Sequence, residues 1–163
     1  MGDLVRFSPK VFVALLLLNA PAFAQSWRVD ALPRINTDGI FLDFELTHLA
    51  TRNVDVYEAN LPWGVRYSTQ LVAIPLAEGA KALDGALYID DPGPKTRRVS
   101  PGEKIKGSID LTTRFKAIGR SLRRSSVVVC FRYDFGLLHS AGDGVTEKCV
   151  IFEQLKHSKI GTD

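Results

Sequence analysis

The stretch Ile40-Phe41-Leu42-Asp43-Phe44-Glu45-Leu46-Thr47 sets Ile40, Leu42, Phe44 and Leu46 against Phe41, Asp43, Glu45 and Thr47 in strict alternation. A period of two sends one set to a core face and the other towards solvent, so the segment reads as a half-buried β-strand. A strand with one apolar face needs a second layer to cover it. The rest of the chain supplies more strands of the same kind, and two facing sheets are the natural solution.

Working outward, Asn36-Thr37-Asp38-Gly39 is a turn, because Asn and Asp bond their own backbone and Gly accepts positive φ. Before it, Ser26 to Arg34 carries Trp27, Val29 and Leu32 and reads as an edge strand, with Pro33 removing one ladder donor. After it, Val54 to Glu58 is a short strand. Val65 to Ile74 is another, and Leu71-Val72-Ala73-Ile74 is apolar on both faces, as under a second layer. Ala86 to Ile89 reads as a short strand ahead of an Asp90-Asp91-Pro92-Gly93-Pro94 loop. Thr96 to Val99, a Ser100-Pro101-Gly102-Glu103 turn and Lys104 to Leu111 read as a hairpin closing one edge. Gly107 falls on its apolar face, which leaves room for a bulky neighbour or marks a bulge.

Thr112 to Arg124 has helical periodicity: Phe115, Ile118 and Leu122 share one sector, and Lys116, Arg120, Arg123 and Arg124 lie opposite. Thr112 or Thr113 can cap it. The fold class is therefore all-β, an antiparallel β-sandwich with one short helix before the last two strands.

Those last strands, Ser126 to Phe135 and Val145 to Gln154, join through a turn at Ser140 to Gly144. One register places Cys130 opposite Cys149, Arg132 opposite Glu147, Val129 opposite Val150 and Val127 opposite Phe152. A bridge, an ion pair and two apolar pairs then coincide, so a Cys130–Cys149 disulfide is expected.

The N-terminus has the order of a secretory signal. Arg6 and Lys10 precede the apolar run Val11 to Leu18, and Pro21-Ala22-Phe23-Ala24 presents small residues before polar Gln25. The expected organisation is a signal peptide over 1–24, one domain over 25–155 and a polar tail over 156–163, with a periplasmic or extracellular location. Two cysteines in an exported chain fit the disulfide. The net charge of +3 loses two cations and one carboxylate with the signal, and near-neutrality argues against a nucleic-acid binder. No later apolar stretch is long enough to span a bilayer.

Chemistry-bearing motifs are sparse. His48, His139 and His157 are scattered without metal-ligand spacing, and there is no nucleophile elbow, phosphate-binding glycine loop or dinucleotide fingerprint. No catalytic residue, metal or cofactor is assigned. Asp90 and Asp91, with Asp84 nearby, could ligate calcium, but the spacing of a calcium loop is missing and a solvated turn is the simpler reading. Trp63, between Pro62 and Gly64, has two readings. It is either an exposed flat face for a sugar, peptide or membrane surface, or a lid folded over the core. Asn60 and Trp63 are the candidate binding residues. The basic helix face could likewise meet an anionic polymer or lipid, or simply be the solvated side.

The Asn60-Leu61-Pro62-Trp63 turn, the Asp90-Asp91-Pro92-Gly93 loop and the Pro101-Gly102-Glu103 turn together resemble those of small secreted bacterial proteins with immunoglobulin-like β-sandwiches. The resemblance covers most of the chain after the signal and implies that fold without implying an activity. The Pro62-Trp63 pair is also similar to chagasin-type protease inhibitors, whose other inhibitor loops are not recognisable. The expected function is a non-enzymatic binding or accessory module contacting an envelope protein or polymer. A protease inhibitor acting by loop insertion and a hydrolase are the alternatives.

Overall fold

The computed structural model describes residues 26–64, 68–86, 95–138 and 144–155. The expected signal segment, Val65 to Tyr67 of the expected Val65 to Ile74 strand, residues 87–89 of the expected Ala86 to Ile89 strand, Asp90 to Pro94, residues 140–143 of the expected turn, His139, His157 and residues 156–163 lie outside the described residues.

Among the described residues every strand pairing is antiparallel. Strand β1 (Trp27–Asn36) folds back on β2 (Gly39–His48) through a tight turn, where the Asn36 Oδ1 accepts from the N–H groups of Asp38 at 3.0 Å and Gly39 at 3.1 Å. The far side of β2 pairs with β6 (Lys104–Asp110), giving the order β1-β2-β6. Strand β3 (Val54–Tyr57) pairs with β5 (Thr96–Val99) in a separate ribbon. Strand β7 (Val127–Asp134) lies between β4 (Thr69–Pro75) and β8 (Val145–Phe152).

The alternation in β2 does what its pattern requires. Ile40, Leu42, Phe44 and Leu46 are buried, and Ile105 and Ile109 join them from β6. Val127, Val129, Phe131 and Tyr133 of β7 enter the same core from the other sheet, where the Phe44 and Phe131 rings meet edge-on at 5.1 Å. Each such side chain contributes about 1.5–3 kcal/mol on burial, so this shared core is the main term holding the two sheets together. Pro33 sits on the free edge of β1, where its missing N–H breaks no pairing. The neighbouring edge group, the Val29 carbonyl, accepts from Lys148 Nζ of β8 at 2.6 Å.

Three expectations change. The helix of Thr112 to Arg124 is two short helices, α1 (Leu111–Arg114) and α2 (Ile118–Leu122). The break falls where the Arg114 carbonyl leaves the helical ladder to accept from the Ala86 N–H at 2.7 Å, with Phe115 in extended backbone and its ring buried. The cap is Asp110, whose carboxylate accepts from the Thr112 N–H at 2.7 Å, in place of either threonine.

Residues 96–111 also form no hairpin, since β5 pairs with β3 and β6 with β2. The end of β2 separates the two arms: His48 N–H donates to the Glu103 carbonyl at 3.0 Å, and its carbonyl accepts from Gly102 at 2.8 Å. Finally, only one face of Leu71 to Ile74 is covered. Val72 and Ile74 point away from the core at 47% and 38% exposure, alongside Ile151 and the disulfide.

The β7–β8 register has Cys130 opposite Cys149, Arg132 opposite Glu147, Val129 opposite Val150 and Val127 opposite Phe152, and the cysteines form a disulfide. Closing a loop with a sequence separation of 19 stabilises the fold by about 3 kcal/mol in the chain-entropy picture. We therefore expect no free thiol in the denatured, unreduced protein. Replacing both cysteines with Ser should lower urea stability by about that amount. Two titratable thiols, or an unchanged midpoint, would contradict the bridge.

Candidate functional site

The loop after β3 is built to hold Trp63 in one place. A single 3-10 turn, Glu58–Asn60, is followed by Leu61, whose carbonyl accepts from Gly64 N–H at 2.7 Å and from Ser68 Oγ at 2.6 Å. Asn60 ties this loop to the far end of β7: its Nδ2 donates to the Leu137 carbonyl at 2.5 Å, and its carbonyl accepts from Tyr133 Oη at 2.9 Å. Burial pushes the Tyr133 hydroxyl far above the ordinary tyrosine range, so it remains a neutral donor. Leu61 and Pro62 are buried, and Trp63 is half-buried.

Two glycines make this placement possible. At Gly64 an added Cβ would run into the Ala59 carbonyl. At Gly107 it would overlap the six-membered and five-membered rings of Trp63. The indole thus lies flat on the one position of β6 whose core-facing side chain is missing. Trp63 also lines a cleft of about 340 Å³ with Ser108, Asp110, Thr113 and Arg114. Trp63 is therefore packed against Gly107 and half-buried at the cleft.

The polar groups of the cleft differ in what they have left to offer. Ser108 Oγ donates to Asp43 at 2.5 Å, and the Asp110 carboxylate holds Thr112. Thr113 Oγ1 donates to the Asp110 carbonyl at 2.8 Å. Arg114 has no carboxylate partner among the described residues. An aromatic plate beside a free guanidinium can take a ring stacked on the indole and an acidic group on the arginine.

A larger hollow, about 540 Å³, lies on the outer face of β1, β2 and β6. Its floor carries exposed Leu32, but its charges already satisfy one another. Arg34 makes a two-pronged contact with Asp43 at 2.6 and 3.0 Å and lies 4.2 Å over the Phe41 ring. The guanidinium, helped by Ser108, holds the Asp43 carboxyl below the usual carboxylate range. Glu45 is shared by Lys104 and Lys106, which lower its pKa in turn. With no free ionic group to recognise a ligand, volume alone does not make this hollow the better site.

Asn60 and Trp63 do not share a site: Asn60 anchors the loop, while Trp63 forms the cleft. Sequence reasoning missed Arg114, whose signal was its place at the start of an acid-free helical stretch beside Asp110. His48 is buried, stacked on Trp27 at 4.6 Å, with Nδ1 against the Ser100 carbonyl at 3.1 Å. Since a carbonyl only accepts, that nitrogen carries the proton, and the ring serves packing. Among the described residues no three His, Cys, Asp or Glu side chains gather to hold a metal ion. Compared with protein-family models, curated proteins and solved structures, the chain matches none.

Gly107→Ala should evict the indole. In a Trp27→Phe background, Trp63 emission should move to longer wavelength and become more sensitive to acrylamide, and the melting temperature should fall. Unchanged emission and quenching would mean that the ring does not rest on Gly107.

Proposed function

We propose that this chain is an exported, non-enzymatic binding module that engages a cell-envelope protein or polymer through the Trp63 cleft and the adjoining strand ends. The observation that carries the reading is the half-buried indole beside an Arg114 without an ion pair among the described residues, since the other charged groups lining this cleft and the hollow over β1, β2 and β6 are already engaged. The disulfide and the secretory order of residues 1–24 support a location outside the cytoplasm. No helix among the described residues is long and apolar enough to cross a membrane.

The proposed fold is an immunoglobulin-like sandwich. In its favour, one sheet runs β1-β2-β6 and the other β4-β7-β8, with the helical segment between β6 and β7, which parallels the A-B-E and C-F-G strands of that fold. Two features depart from the pattern: β5 pairs with β3 instead of extending the first sheet, and the disulfide lies within one sheet. Loop insertion into a protease is the weaker reading, because Pro62 is buried and Trp63 folds back on Gly107, which leaves little to protrude.

A photo-crosslinking residue at Thr113, which is exposed on the cleft wall, tests the proposal against a matched one at Gln70, exposed on the outer face of β4. Incubated with an envelope fraction, the Thr113 probe should yield a discrete adduct that Arg114→Ala abolishes. Adducts formed equally from both positions, or none from Thr113, would overturn the cleft as the binding site.

A further inference from the structure

The eight cations carried on the strands of the described residues are all in ion pairs: Arg28, Arg34, Arg97, Arg98, Lys104, Lys106, Arg132 and Lys148 each reach a carboxylate. From Leu111 to Ser125 the pattern reverses. Arg114, Lys116, Arg120, Arg123 and Arg124 stand without an ion pair among the described residues, and this stretch contains no Asp or Glu. Lys116, Arg120, Arg123 and Arg124 are exposed, whereas Leu111, Phe115, Ile118 and Leu122 are buried in the core. The acids beside this stretch are Asp110, which lines the Trp63 cleft with Arg114 and accepts from Thr112, Asp84, which shares a cleft with Lys116, and Glu153, which accepts from Ser126, and none of the three forms an ion pair with these cations.

Arg114 lines the Trp63 cleft and is the first of these cations in the chain, so the cleft adjoins the start of the cationic stretch. We propose that they form one site for an anionic polymer bearing carboxylates or phosphates, with one unit on Trp63 and Arg114 and successive acidic groups along Lys116, Arg120, Arg123 and Arg124. This rests on the cleft being a binding site and adds the class of its partner. A row of unpaired cations gains most from a ligand whose charges recur, because each contact releases counterions. A membrane surface is the poorer fit. A helix that lies on lipid inserts its apolar face, and here that face is spent on the core.

The experiment measures binding of the purified protein to polygalacturonate, inorganic polyphosphate, neutral dextran and equimolar phosphatidylglycerol–phosphatidylcholine vesicles over a salt series. We expect binding to the two polyanions but not to dextran. The exposed triple variant Arg120→Glu, Arg123→Glu, Arg124→Glu should lose about tenfold or more in affinity, with a salt slope smaller by about two, at roughly 0.7 per lost contact. Its melting curve should match that of the parent. Arg52→Glu with Lys95→Glu, which changes exposed cations elsewhere in the fold, should bind like the parent. Binding unaffected by the triple variant, equal loss in the Arg52 and Lys95 control, association with vesicles alone, or no polyanion binding would each overturn the proposal. The cleft itself is judged separately by the Thr113 adduct, so a cationic stretch that fails while that adduct persists leaves the cleft standing.

Discussion

An indole lying on the α-carbon of Gly107 is the contact on which the candidate site depends. Across the ladder from Gly107 stands Phe44, whose ring points into the core, while β6 offers no side chain at that level. The gap is filled from outside the sheet by Trp63. That contact fixes the loop after β3, which the Asn60 and Tyr133 bonds then fasten to the end of β7. Because the ring is held against Gly107, the proposed stacking of a ligand on it would cost little side-chain entropy.

Much of the sheet architecture was legible in the residues because strand patterns are local. The alternation of β2 reports its buried face directly, and the hairpin of β7 and β8 was fixed by a coincidence of pairs that only one register satisfies. What the sequence concealed was set by distant backbone groups. The helix breaks because Ala86 takes the Arg114 carbonyl, and the 96–111 segment opens because His48 takes the backbone of Gly102 and Glu103. Neither partner leaves a trace in the periodicity of the segment it disrupts. The site was half legible in the same sense: the gap at Gly107 and the exceptional Trp63 were each visible, but nothing in one dimension joins them.

The distribution of charge divides the molecule in a way its net charge conceals. Exposed ion pairs contribute only about 0–1 kcal/mol each, so pairing on the strands does not carry the fold. Its effect is to leave the sheet faces electrostatically quiet. Against that background the five cations from Arg114 to Arg124 are the longest run of charges without an ion pair among the described residues, carried by a helical segment whose apolar side is committed to the core.

The most direct test of the central contact is the chemical shift of the two Gly107 α-protons in isotope-labelled protein. If the indole covers that carbon, both aromatic ring current and through-space contacts to the Trp63 ring should mark them. Their resonances should lie upfield of ordinary strand glycines and return to the usual range in Trp63→Leu. Gly107 α-protons at ordinary positions, without contacts to the indole, would contradict the account.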